Sequence, residues 1–330
     1  MRLVVILKIF FDFSPKRCQA TTSRLASVFR GGTRGRRVGR PLCRLRTVSM
    51  ATQLGSIKRV RNFKGFVVDG FNYQSPVVVA YFLTHFHADH TCGLHAGFKG
   101  PAPIYCTAIT ASLLTNVMGV KPGFVRAVQM HEEIEVRTSD GQTAFVTFLD
   151  ANHCPGSATI YFRKSDGETK ETKERNITAL HTGDFRAAKC VREDPRLHHL
   201  IHKNGPIGEL YLDTTYCDPK WRFPDQAEVL STMGAIAKRE LIREPRTLFL
   251  VGSYSIGKEK AVRAVANAVQ SKVAVGWHRA RTLKLTGWWD DALFICEDDE
   301  RAMTGTGAES LDRRSGEAST SSGVVTPPTP

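Results

Sequence analysis

Apolar residues in this chain come in short runs closed by polar clusters. FVVDGF begins at Phe66, VVVAYFL at Val77, TAFVTFLDANHCPGSATIYF at Thr143, ITALHTGDF at Ile177 and GELYLDTTY at Gly208. β-Branched and aromatic residues dominate these runs, so they predict strands. Helical spacing appears instead in TAITASLLTNVMG from Thr107, AEVLSTMGAIAKRELI from Ala227 and KEKAVRAVANAVQS from Lys258. Strands outnumber helices early, and the two alternate after Trp221. The fold class is therefore α/β, a β-rich layered domain passing into an α/β segment. Of the final 27 residues, Thr304 to Pro330, 17 are Gly, Ser, Thr or Pro, a composition that predicts a tail without a packed core.

Charge divides the chain unevenly. The formal net charge is +14 over 330 residues, yet residues 1–50 hold 12 Lys/Arg against the single acid Asp12, and the rest hold 34 against 31. The body is nearly neutral, so attraction to a polyanion has to come from a local patch or from the leader. The leader combines a short apolar stretch with an Arg-rich, acid-poor segment. It predicts either a disordered basic arm or a transit peptide for a mitochondrion or plastid. The eight cysteines form no C-x-x-C pair, which argues against a disulfide framework and a thiolate zinc site and points to a reducing compartment. No apolar run reaches the roughly 18–20 residues of a membrane-spanning helix.

The sharpest chemistry lies in Thr84-His85-Phe86-His87-Ala88-Asp89-His90, directly after VVVAYFL. Burying three imidazoles and a carboxylate without partners costs roughly 1–3 kcal/mol for each unsatisfied group. A divalent cation uses those lone pairs. The i, i+2 spacing places His85 and His87 on one side of an extended segment, where their nitrogens can share one ion. A turn into a helix brings Asp89 and His90 to a second ion, about 3.5–4 Å from the first in two-metal sites. Further donors follow strands downstream: His153 in Asn152-His153-Cys154-Pro155 and Asp184 in His181-Thr182-Gly183-Asp184. Asp69, in VVDGF, is a carboxylate suited to holding a ligand histidine from behind.

In that order, Asp69, HFHADH, His153 and Asp184 resemble the metallo-β-lactamase-fold hydrolases. Leu212-Asp213-Thr214-Thr215-Tyr216-Cys217-Asp218-Pro219 looks like the first signature of the β-CASP nucleases, and Tyr254-Ser255-Ile256-Gly257-Lys258-Glu259-Lys260 is similar to the DNA cross-link repair exonuclease branch. The resemblance spans approximately residues 60 to 303. It implies an αββα metallo-β-lactamase sandwich in residues 51–220 and the beginning of a β-CASP cap in 221–303, flanked by the leader 1–50 and the tail 304–330. It also implies zinc on His85, His87 and His153, Asp184 bridging two ions, and Asp89 and His90 on a second divalent ion. Asp213 would support metal and water, with Asp89, Asp184 and Asp213 as catalytic carboxylates. The implied activity is 5′-to-3′ DNA exonuclease, acting in the nucleus on single-stranded or duplex DNA with a 5′ end, in interstrand cross-link and double-strand-break repair alongside other repair proteins.

The family's later strands and histidine signatures do not follow the cap segment here. The sequence therefore predicts an incomplete sandwich and an incomplete second metal site, as in a C-terminally truncated product. Other readings are an RNA-processing β-CASP endonuclease, a non-catalytic product and a thioester hydrolase of the glyoxalase type.

Gly252-Ser253-Tyr254-Ser255-Ile256-Gly257-Lys258 matches the phosphate-cradling G-x-x-x-x-G-K pattern after a strand, but Glu259 stands where a Ser or Thr would bind magnesium. ATP hydrolysis is thereby disfavoured. Ser253, Ser255 and Lys258 remain candidates for holding a terminal 5′-phosphate. Trp288 and Trp289 could stack on bases, although core packing is the stronger expectation.

Overall fold

The computed structural model describes residues 58–166 and 176–296, and the backbone of 322–325. The leader 1–50 and most of the tail lie outside the described residues.

Two sheets face each other. The first runs β1 (Phe66–Val68), β2 (Ala80–Phe82), β3 (Ile104–Thr107) and β4 (Val125–Val128), all parallel. The second runs β5 (Glu133–Arg137), β6 (Thr143–Asp150), β7 (Ala158–Ser165), β8 (Asn176–His181) and β9 (Glu209–Tyr211), antiparallel until β9, which joins β8 in parallel.

Strand alternation builds the layers. Phe66, Val68, Ala80 and Phe82 face Val146, Phe148, Ile160, Phe162 and Ala179 in one core between the sheets. Phe82 is its hinge, with ring centroids 5.1 Å from both Phe66 and Phe162. The alternate residues Val67, Tyr81 and Leu83 point to the opposite face, where helix α1 (Ala108–Asn116) packs. Thr107 caps α1 by accepting the Thr110 amide. On the outer face of the second sheet, Leu149 and Leu180 line a cleft with Val191 and Leu197 of α2 (Lys189–Arg192) and α3 (Pro195–Asn204). The order helix, sheet, sheet, helix is the sandwich expected from the sequence.

A third unit follows. Helices α4 (Gln226–Arg243), α5 (Glu259–Val269) and α6 (Trp277–Leu285) surround β10 (Phe249–Gly252), β11 (Val273–Val275) and β12 (Phe294–Cys296). Trp288 and Trp289 pack against this core, as expected. Strand β13 (Ser322–Val325) lies antiparallel between β10 and β11. This corrects the expectation of an unstructured tail for those four residues. The facing edges of β10 and β11 carry amides and carbonyls that need partners, and the tail backbone supplies them, a demand that composition does not reveal.

Candidate metal centre

The candidate ligands leave the strand ends along one side of the sandwich. Pairing of Val68 with Phe82 places Asp69 beside Thr84, whose amide and hydroxyl donate to its carboxylate at 2.9 and 2.7 Å. After His87 the chain makes a single turn, with the His90 and Thr91 amides donating to the His87 carbonyl, in place of a longer helix. His153 sits in the loop after β6, closed by Ser157 Oγ, which accepts the amides of His153 and Cys154 at 3.2 and 3.1 Å. Asp184 follows β8 through Gly183, whose φ of +55° and approach to Thr84 leave no room for a side chain.

These loops bring the donors together. His87 Nδ1 lies 2.9 Å from His85 Nε2 and 3.2 Å from His153 Nε2. Asp184 Oδ2 is 4.0 Å from His85 Nε2 and 3.8 Å from His153 Nε2, while its Oδ1 is 3.2 Å from His90 Nε2. Asp89 Oδ2 stands 3.5 Å from His90 Nε2 on the exposed side. Asp184 thus separates and joins two donor groups, one around His85, His87 and His153 and one around His90.

The outward hydrogen bonds fix the tautomers. His87 Nε2 faces the Ile256 carbonyl at 3.3 Å, and a carbonyl can only accept, so that nitrogen carries the proton and Nδ1 offers a lone pair. Thr84 Oγ1 donates to Asp69 and is free to accept from His85 Nδ1 at 3.0 Å, which leaves the His85 Nε2 lone pair facing inward. Asp69 Oδ2 accepts from His90 Nδ1 at 2.7 Å, aiming His90 Nε2 at Asp184. Inward lone pairs at such distances repel one another. Nitrogens bound to a tetrahedral zinc at about 2.0–2.1 Å would stand roughly 3.4 Å apart, so the donor set suits a cation.

Electrostatics agree. Burial, reinforced by the charges of neighbouring imidazoles, holds the pKa of His85 far below its usual value, and burial lowers His87 as well. Burial and His87 take His153 down to about 4. These three rings are neutral at pH 7, the state that binds a metal. His90 is also buried, but its bonds to Asp184 and Asp69 outweigh that and raise it to about 10.

The remaining candidates sit on two further loops, one of which reaches His87 through the Ile256 carbonyl. Asp213 takes its own loop's Thr215 amide at 2.9 Å, and its backbone amide donates to Thr182. Lys258, left-handed at φ +65°, caps α5 and reaches the Gly252 carbonyl at 3.3 Å. Ser253 is buried and Ser255 exposed on the same loop. Glu259 folds back to accept the Gly257 amide at 2.7 Å, occupying a donor that a P-loop would turn to phosphate.

Sequence reasoning missed Cys154, whose sulfur lies within 4.8 Å of the His85, His87 and His153 donor atoms, with burial raising its thiol pKa. It also missed Thr84, Tyr254 and the Ile256 carbonyl. The neighbouring DANHCPGS loop signals only Cys154. Among the described residues, Cys92, Cys106, Cys154, Cys190, Cys217 and Cys296 are free thiols, and no helix is long and apolar enough to cross a membrane.

A comparison with curated proteins decides the kinship. Over 226 residues the chain is 41% identical to the DNA cross-link repair protein SNM1 of Arabidopsis thaliana, covering 68% of this chain and 43% of that one. The chain is a homologue of the DNA cross-link repair proteins. Among these homologues, the human DNA cross-link repair 1A protein is 39% identical over 67% of this chain and 19% of its own length. The mouse 5′ exonuclease Apollo is 33% identical over 66% of this chain and 37% of its own. The chain thus spans less than half the length of these relatives. No family model matches. The metallo-β-lactamase SMB-1 matches with 14% identity and a TM-score of 0.26, covering 62% of this chain and 81% of that structure.

Proposed function

We propose that this chain carries the metal site of a zinc-dependent 5′-to-3′ DNA exonuclease that hydrolyses phosphodiesters in cross-link repair within the nucleus. The observation that carries the reading is the convergence of the inward nitrogens of His85, His87 and His153, with Asp184 reaching from them to His90. In this reading the three imidazoles would hold zinc with Asp184 beside them, and Asp89 and His90 would offer an incomplete site to a second divalent ion. Bound cations supply Lewis acidity toward the phosphate and lower the pKa of water toward neutrality.

The protein's own groups do the rest. Asp69 holds His90 in one tautomer and one orientation. Asp184 and Asp89 present carboxylate oxygens able to orient water and accept its proton. Ser253, Ser255 and Lys258, on the loop that meets His87 through Ile256, are positioned to take a terminal 5′-phosphate. Asp213, on the loop held to Thr182 two residues before Asp184, would support metal and water.

The substrate assignment draws on the names of the homologues and on the DTTYCDP and YSIGKEK stretches. The test is a 5′-labelled DNA strand incubated with the full chain, with and without chelator. Release of labelled mononucleotide that chelator stops and that His85→Ala or Asp184→Asn abolishes is the expected result. Release insensitive to both refutes it, and preferential cleavage of RNA moves the chain to the RNA-processing class. Lys258→Ala should selectively impair phosphorylated 5′ ends; equal loss on hydroxyl ends removes Lys258 from the phosphate role.

A further inference from the structure

Beside the metal centre lies an aromatic surface that none of the three hydrophobic cores absorbs. Tyr216, Trp221 and Phe223 are 42%, 47% and 58% exposed. They nonetheless contact one another. Tyr216 meets Phe223 edge-on at 5.0 Å and Trp221 at 5.7 Å, and the Trp221 and Phe223 planes are parallel to within 2°. The loop sequence enforces this display. The Cys217 amide donates to Thr214, the Trp221 amide to Asp218, and Asp218 Oδ1 takes the Lys220 amide, so successive tight turns hold the rings outward.

Two bridges connect this surface to the metal centre. Tyr254 has its ring 5.9 Å from His87. The Asp213 amide, on the loop that leads to Tyr216, donates to Thr182 Oγ1 at 2.9 Å, two residues before Asp184. Cations accompany the rings: Lys220 Nζ is 5.5 Å from the Trp221 ring, paired with Asp218 at 2.9 Å, and Lys258 Nζ is 5.0 Å from that of Tyr254, with Arg222 exposed between Trp221 and Phe223 in the chain. Flat apolar faces alternating with cations match the two chemistries of an unpaired strand, base faces and phosphates. A duplex hides its base faces and fits less well.

We propose that Tyr216, Trp221 and Phe223 form a stacking platform for unpaired bases of a single DNA strand running through the metal site, with Lys220 and Arg222 on its phosphates. This rests on the DNA-nuclease reading above and adds that the site prefers a frayed or single-stranded substrate.

The probe is a fluorescent oligo(dT) of about ten nucleotides, within the usual site size for a single-strand binding module, compared with an abasic strand of equal length and charge. Binding to the full chain is measured by anisotropy in chelator, where cleavage plays no part. The expected result is at least tenfold tighter binding of oligo(dT) than of the abasic strand. The double variant Trp221→Ala/Phe223→Ala should lose that preference while retaining its affinity for the abasic strand, and Trp221→Phe should keep most of it.

Equal affinity of the wild-type chain for both strands overturns the platform, as does equal loss of both strands in the double variant. Aggregation of the double variant leaves the wild-type comparison and Trp221→Phe to decide. A chain that binds oligo(dT) preferentially but cleaves no DNA sinks the nuclease reading and leaves the platform standing. One that cleaves DNA without base preference does the reverse.

Discussion

The imidazole of His87 faces the backbone carbonyl of Ile256 across 3.3 Å, although the two residues are 169 positions apart. A buried ion pair braces that carbonyl. Arg279 Nη2 lies 3.0 Å from Glu259 Oε1, with the two side chains only 7% and 4% exposed, and Arg279 also donates to the carbonyls of Tyr254, Ser255 and Gly257 on either side of Ile256. Burial pulls the Arg279 pKa down and Glu259 pulls it back, so the guanidinium depends on its partner. Glu259→Gln leaves that charge without a counter-ion and should destabilise the fold by roughly 3–5 kcal/mol. Where the variant still folds, zinc affinity should fall about 10–100-fold, the usual effect of losing support behind a ligand. Urea unfolding and competition with a chromophoric chelator read the two effects separately.

Asp69 is buried and accepts from Thr84 twice and from His90 once. Burial alone would raise its pKa, but the His90 interaction outweighs this and keeps it below the ordinary carboxylate value. Asp69→Asn removes one acceptor and frees the His90 ring. The second bound divalent ion should weaken about 10–100-fold while the first is retained. Calorimetric titration of the chelator-stripped chain should show two binding events in the wild type and one in the variant; two unchanged events would exclude this role.

Gly183 sets the exit of Asp184. A Cβ there would stand 2.8 Å from Thr84 Cβ, on a backbone with φ +55°. Gly183→Ala therefore meets steric overlap and left-handed strain together, and should cost more than about 1 kcal/mol. Pushing Thr84 aside also disturbs Asp69 and His85. A lowered urea midpoint accompanied by weaker zinc binding is the expected pair of results.

His181 accepts the Gly183 amide on Nδ1 at 3.1 Å and stacks on Tyr211 at 5.5 Å. Burial drives its pKa from 6.5 down to about 4. The unfolded chain therefore binds a proton that the folded one refuses between those values. Stability should be complete above pH 6.5 and decline as pH falls toward 4. In metal-free protein, His181→Phe keeps the stacking and removes this titration. Its denaturation midpoint should drop less than the wild type's between pH 7 and pH 5; parallel curves would exclude His181 as a source of the acid sensitivity.

Much of the centre is legible in the sequence because it is local. The spacing of His85 and His87 follows from an extended backbone, and His153 and Asp184 follow strands whose alternation is plain. What pairs across distance is not legible. No periodicity joins His87 to Ile256, or a tail of Gly and Ser to the gap between β10 and β11. Asp213 enters only through the family resemblance, and the structure adds that its Oδ1 accepts the Thr215 amide while its own amide donates to Thr182. Exposure is not legible either. Trp288 and Trp289 pack as expected, but the sequence does not signal that Tyr216, Trp221 and Phe223 stay exposed and meet one another, a distinction that only tertiary packing makes.

Ile256 belongs to the segment after β10, yet it is fully buried in the cluster around Phe71, Tyr81 and Leu83. The first sheet thus borrows a plug from a part of the chain it does not otherwise contain. Any break or splice upstream of β10 would open a hole beneath that sheet and unseat His87 at the same time, silencing the site while every one of its histidines remained in the gene product.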